Sequence, residues 1–148
     1  MNDMDDSASF RGSVLEAARR VLTTEAEALQ ALAEELPEDF AASVEMMRSA
    51  SGRVIVCGIG KSGHVGRKIS ATLASTGTPS YFVHAAEASH GDLGMIAKGD
   101  VCLLISNSGE TAELSDVIGY CARPVCGSRS RSVPRLARWD LRPPPLPR

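Results

Sequence analysis

Two loops limit what this chain can fold into. Gly58-Ile59-Gly60-Lys61-Ser62-Gly63 follows the apolar run Val54-Ile55-Val56-Cys57, and Ser106-Asn107-Ser108-Gly109-Glu110-Thr111 follows Val101-Cys102-Leu103-Leu104-Ile105. Both apolar runs lack the in–out alternation of a half-exposed strand, which is the pattern of parallel strands covered on both faces. Each loop is followed by helical periodicity. Two strand–loop–helix turns of one kind put two helix N-termini at one edge of one sheet, where backbone N–H groups and Ser or Thr hydroxyls bind anions. The expectation is an α/β fold of flavodoxin-like, doubly wound type, a parallel sheet with flanking helices, with a phosphate cleft at its carboxyl edge.

The flanking segments fit this frame up to about residue 122. Residues 1–9 are polar and are expected to be disordered. A helical pattern runs from about Ser13 to Leu36, with Leu15, Ala18, Leu22, Leu29, Leu32 and Leu36 on one stripe. Such a helix either covers the sheet or joins a subunit partner. Pro37 interrupts it, and Phe40, Val44 and Met47 give a second, shorter face. A helix from Ser62 to Ser75 is expected to bury Val65, Ile69 and Leu73 and to end at Gly77. Ser80–Val83 reads as the second strand, and Thr111–Cys121 as a helix with Leu114, Val117, Ile118 and Cys121 on one side. Cys57 and Cys102 sit inside apolar strands, and with no C-x-x-C pair among four cysteines they read as buried free thiols in a reducing cytoplasm. No stretch is apolar enough to span a membrane, and the acidic start lacks a signal peptide's charge and apolar core.

Residues 123–148 break the pattern. They hold seven arginines against the single acid Asp140, about +6 against about −8 for the rest of the chain. They also hold six prolines and no apolar periodicity. The expectation is a disordered tail that leaves the third strand as an uncovered edge. Its one aromatic residue, Trp139, gives little for stacking bases, so nucleic acid is not an expected partner.

The first loop matches G-x-G-x-x-G, but the acid that a dinucleotide site needs at the tip of the second strand is missing, since that strand ends Val83-His84. Nor is it a P-loop, because the required first glycine is Ile55. The second loop places Ser106, Ser108 and Thr111 around Gly109, which suits a single phosphate monoester. Each hydroxyl taken alone could be only a helix cap. His84 and His90, near Glu87 and Asp92, fit no strong metal-ligand spacing.

Together, Gly58 through His64, Ser75 through Pro79, His84 through Met95 and Ser106 through Thr111 resemble the sugar isomerase (SIS) domain of bacterial D-arabinose-5-phosphate isomerases of the KpsF/GutQ type. The likeness spans roughly residues 10–122. It implies interconversion of D-ribulose 5-phosphate and D-arabinose 5-phosphate through an enediol, in a pathway to lipopolysaccharide or capsule sugars, by a cytoplasmic homotetramer. The family's catalytic groups fall on Lys61, His90 and Glu113. Substrate contacts fall on Gly77, Thr78 and His90. The phosphate would be held by Ser62, Ser106, Ser108 and Thr111, with Asn107 and Glu110 in the same loop. A metal-binding histidine falls on His84, implying zinc there, although the reaction requires no cofactor. The resemblance stops near Ala122, before further strands, a second catalytic glutamate and paired CBS modules. From this follow the expectations of a truncated domain, a frameshifted tail and impaired activity. The alternative is a phosphosugar-binding SIS module or regulator without catalysis.

Overall fold

The structure, a computed structural model, describes residues 3–122 and the backbone of 135–140, with side chains described for 9–122. It divides into two compact units, Met1–Phe40 and Ala41–Arg148.

The first unit is one long helix, α1 (Asp3–Glu34). It begins well before the expected Ser13, so the expected disorder of residues 1–9 is not found from Asp3 onward. No proline interrupts residues 3–36, and a single glycine, Gly12, is tolerated inside a helix of this length. The helix stops at Glu34 because Pro37 drives the residue before it, Leu36, out of the α region. The expected apolar stripe is present and lies open: Leu15, Leu22, Leu29 and Leu32 are all exposed.

Next comes α2 (Phe40–Arg48), in which Met47 of the expected apolar face packs on the sheet, while Val44 is exposed and Ser43 is buried. The strands are β1 (Val54–Gly58), β2 (Ser80–His84), β3 (Val101–Ser106) and β4 (Arg135–Asp140). They form one parallel sheet in the order β2-β1-β3-β4. Between them lie α3 (Gly60–Ser75), α4 (Ala85–Ser89) and α5 (Ser115–Cys121), with short 3-10 turns at Asp92–Met95 and Ala112–Leu114. Every residue of β1 and β3 is buried, as their unbroken apolar runs require. One face packs Val54, Val56, Leu103 and Ile105 against Met47, Ile69, Leu73 and Phe82. The other packs Ile55, Cys57, Cys102 and Leu104 against Ala85, Ala88, Leu114, Val117 and Cys121. Helices on both faces give the expected doubly wound architecture.

Three expectations need correction. Val65 is exposed, and the buried face of α3 is formed by Gly63, Gly66 and Ser70 with Ile69 and Leu73 half-buried. A Cβ on Gly66 would sit 3.0 Å from Phe82 and 3.2 Å from Val56, so the helix backbone itself fills the space a larger side chain would have taken. Ile118 likewise faces outward, while Leu114, Val117 and Cys121 are buried. Finally, β3 is not an open edge. The backbone of Arg135–Asp140 pairs with it in parallel, Val101 opposite Arg135 through Ser106 opposite Asp140. An edge strand offers a row of N–H and C=O groups that any extended segment can satisfy, whatever its side chains. The remainder of 123–148 lies outside the described residues, and so does Cys126.

The amino edge of the sheet is tied by an ion pair the sequence reading did not anticipate. Asp100, buried just before β3, accepts hydrogen bonds from Arg53 Nη2 at 2.9 Å, the Arg53 N–H at 2.8 Å and the Ala97 N–H at 2.9 Å. Burial works to raise the Asp100 pKa, but these donors together hold it below the usual carboxylate range. Arg53 also donates to the Met95 carbonyl at 2.9 Å and lies over the Tyr81 ring.

Candidate functional site

Because β2, β1 and β3 are parallel and adjacent, their carboxyl ends share one edge. Register places Gly58 beside His84 on one side and beside Ile105 on the other. With neighbouring strands about 4.8 Å apart, the two loops leave the sheet side by side. The segment beginning at His84 flanks the first loop. This edge therefore gathers Lys61, Ser62, His84, His90, Ser106, Asn107, Ser108, Glu110, Thr111 and Glu113 from segments that are far apart in the chain.

The first loop is shaped by missing side chains. A Cβ on Gly58 would meet the backbone of Ser62 and Gly63 at 3.2 Å, so these glycines let α3 start directly against β1. Gly60 has a different role: nothing crowds it, but its φ of +57° favours glycine. The N-cap, Ile59, supplies no side-chain hydrogen bond, and no acid occupies the first turn of α3. Lys61 occupies that turn instead, exposed at the positive end of the helix dipole. A cation there is unfavourable on its own and becomes favourable when an anion joins it. Ser62, half-buried, stands beside it.

The second loop is shaped by hydroxyls. Buried Ser106 shares a 2.6 Å hydrogen bond with the Thr111 hydroxyl, and its Oγ accepts the Gly109 N–H at 3.0 Å. The Glu110 N–H donates to Ser108 Oγ at 3.2 Å. Gly109 takes φ +72°, turning the backbone so that these groups converge. Asn107, Ser108 and Glu110 are exposed. Glu113 is also exposed, in the 3-10 turn that follows the loop, while its neighbour Leu114 anchors that turn in the core.

His84 ends β2 and precedes α4, and His90 is the exposed C-cap of α4. The His84 Nδ1 is buried without a hydrogen-bond partner among the described residues. One orphaned nitrogen does not make a metal centre. No group of three or more His, Cys, Asp or Glu side chains that could hold a metal ion occurs among the described residues. The residues present do not fit the zinc implied at His84.

Gly77 and Thr78 are not brought to this edge. They precede β2, at the amino end of the sheet, where the neighbouring Pro79 carbonyl accepts the Val54 N–H. Gly77, at φ +94°, terminates α3, and the Thr78 N–H returns to the Leu73 carbonyl at 2.9 Å.

Sequence reasoning missed the convergence of thiols in the core. Cys102 in β3 and Cys121 in α5 lie 3.5 Å apart, sulfur to sulfur, and both are fully buried. Burial pushes the neighbouring Cys57 thiol up to about 11. The helical stripe through Leu114, Val117 and Cys121 was the signal that would have placed Cys121 under β3.

No helix among the described residues is long and apolar enough to cross a membrane. The SIS domain model matches residues 46–124. The arabinose 5-phosphate isomerase KdsD of Pseudomonas aeruginosa is 56% identical over 74% of this chain and 33% of its own length. The arabinose 5-phosphate isomerase GutQ of Escherichia coli K12 is 52% identical over 72% of this chain and 33% of its own. This chain thus spans about a third of the length of the curated relatives it matches. Among solved structures, an E. coli CFT073 protein in complex with arabinose 5-phosphate superimposes with a TM-score of 0.68 at 43% identity, over 80% of this chain and 60% of that one. The fold, the paired loops and the match across residues 46–124 lead to one conclusion: this chain belongs to the SIS domain family.

Proposed function

We propose that the carboxyl-edge cleft binds a sugar phosphate and that the chain is a phosphosugar aldose–ketose isomerase module, interconverting D-ribulose 5-phosphate and D-arabinose 5-phosphate. The observation that carries this reading is the pairing of an uncapped helix start bearing Lys61 with a hydroxyl loop on the adjacent strand. Ser62, Ser106, Ser108 and Thr111 would donate to the phosphate, with the Asn107 and Glu110 backbone alongside. The Ser106–Thr111 hydrogen bond would then be exchanged for bonds to phosphate oxygens. The names of the relatives and the arabinose 5-phosphate complex of the structural neighbour support the same substrate class.

An isomerase of this kind takes a proton from the carbon beside the carbonyl and returns one to the former carbonyl carbon. A base must receive it, and a cation or imidazole must stabilise the enediolate oxygen between the two transfers. Among the groups at this edge with that chemistry, the proposal gives the work to Lys61, His90 and Glu113, on which the family's catalytic groups fall. No step passes through a metal at His84. Gly77 and Thr78, at the other edge, are assigned no contact in this site. A tetrameric assembly belongs to the same proposal.

The test is proton NMR of D-ribulose 5-phosphate with the full chain in deuterium oxide. Deuterium entering the carbon beside the carbonyl, lost on Glu113→Gln, is the expected result. Thermal stabilisation by the sugar phosphate with no deuterium uptake would overturn catalysis and leave a phosphosugar-binding module. Absence of both would overturn the site.

A further inference from the structure

Cys102 and Cys121 come from different elements and meet sulfur to sulfur at 3.5 Å. Both are free thiols, and their hydrogen bond is shared between them. The two ends of the contact differ in how they can be reached. Cys102 stands inside β3, with a strand on either side. Cys121 is the last residue of α5, a helix of seven residues, and the next residue, Ala122, is exposed. Helix ends open locally at low cost, so Cys121 meets solvent in fluctuations that leave the sheet intact. Its hydrogen bond with Cys102 favours the Cys121 thiolate against burial, while Cys102 keeps its proton. Cys57 lies on the same face of the sheet, but β1 pairs Ile55, not Cys57, with Cys102. Burial pushes the Cys57 thiol up to about 11, so it stays protonated.

We propose that Cys102 and Cys121 form an oxidative modification site, closed into a disulfide by a hydroperoxide and reopened by a dithiol. The Cys121 sulfur attacks the terminal peroxide oxygen, the O–O bond breaks, and water or an alcohol leaves a sulfenic acid behind. When the last turn of α5 recloses, the Cys102 sulfur attacks that sulfur. The S–O bond breaks, and the hydroxide takes the Cys102 proton and departs as water. Two thiols are oxidised by two electrons and one peroxide is reduced. A disulfide holds its sulfurs about 2 Å apart, so the pair closes by roughly 1.5 Å, within reach of a side-chain rotation. The bond ties β3 to α5, and the Ser106–Thr111 loop and Glu113 then lie inside a covalent ring. Its formation does not depend on the ligand proposed for the cleft.

The experiment exposes the full chain in native buffer to hydrogen peroxide, then alkylates the remaining thiols in denaturant for mass spectrometry. The chain is expected to lose two hydrogens and two alkylatable thiols, both restored by dithiothreitol. Cys126, outside the described residues, is the competing partner. In Cys126→Ser the bond should persist inside the tryptic peptide 99–129, where Cys102 and Cys121 are then the only cysteines. Cys102→Ala should stop at a Cys121 sulfenic acid trapped by dimedone, and Cys121→Ala should yield neither product, with circular dichroism confirming the fold of each. Four alkylatable thiols after peroxide overturn the proposal. So does a bond lost in Cys126→Ser, which assigns it to the tail, or one that forms only in urea. The native chain and Cys126→Ser decide the matter even where a core variant fails to fold.

Discussion

The two loops of the cleft sit side by side and are built on opposite principles. Gly58–Gly63 is defined by atoms that are missing: two of its glycines let α3 press against β1, and the third adopts a backbone angle other residues avoid. Ser106–Thr111 is defined by atoms that are present, with three hydroxyls holding the turn through hydrogen bonds to one another and to the backbone. The first loop should therefore be intolerant of addition and the second intolerant of removal. A cleft made this way has one rigid wall and one wall whose donors can change partners.

The sharpest way to break this comparison is Gly58→Val. Its Cβ has only backbone atoms to push against, so a loss of about 3 kcal/mol is expected in urea unfolding. Wild-type stability would show that the close approach of α3 is not required. Next comes a control remote from both loops, Asp100→Asn. Losing the charge at a buried partner of Arg53 should cost about 2 to 3 kcal/mol. The same group gives a pH signature. Its folded pKa is depressed, so its stabilisation is present above the unfolded carboxylate value near about 3.9 and is lost as pH falls through the lower folded value. In acid denaturation the variant should lack that component, and an identical acid limb would sink the assignment.

Smaller effects separate the loops more finely. Ser106→Ala removes a partner of Thr111 and the acceptor for the Gly109 N–H, costing about 1 kcal/mol of stability. Its effect on sugar-phosphate affinity, read by titration calorimetry, should exceed its effect on folding, at about tenfold. Gly60→Ala should do the reverse. It meets no atom, carries only the strain of φ +57°, and should cost about 1 kcal/mol or less while leaving affinity within twofold of wild type. If both variants moved stability and affinity equally, the division between the two walls would fail.

What the sequence revealed follows the same division. Buried parallel strands announce themselves through unbroken β-branched and aliphatic runs, so β1, β3 and their loops were legible. The hydroxyl loop was legible because Ser, Gly and Thr at a helix start have a definite chemistry. The face of α3 was misread through Val65, since periodicity ranks residues by size and cannot show that a helix approaches on its glycines. Arg53 and Asp100 were missed because each looks like ordinary punctuation before a strand, and only the β1–β3 register makes them neighbours. The strand at Arg135–Asp140 was missed because Arg-Leu-Ala-Arg-Trp-Asp lacks the unbroken apolar run that marked β1 and β3. At the site, the family likeness included Gly77 and Thr78, and strand direction placed them at the far edge.

The Arg53–Asp100 pair has a consequence for the cleft it never touches. Adjacent parallel strands behave like two rods laid side by side, and here the rods are pinned at one end while the ligand loops project from the other. The Val101 N–H to Arg53 carbonyl bond and the carboxylate clamp together index the rods against sliding. A slip of one residue would displace one loop against the other by about 3.3 Å, more than the length of a hydrogen bond. The gap between the two loops is thus gauged at the opposite rim of the sheet. On the proposed function, a substitution there should loosen sugar-phosphate affinity without removing a single atom from the cleft.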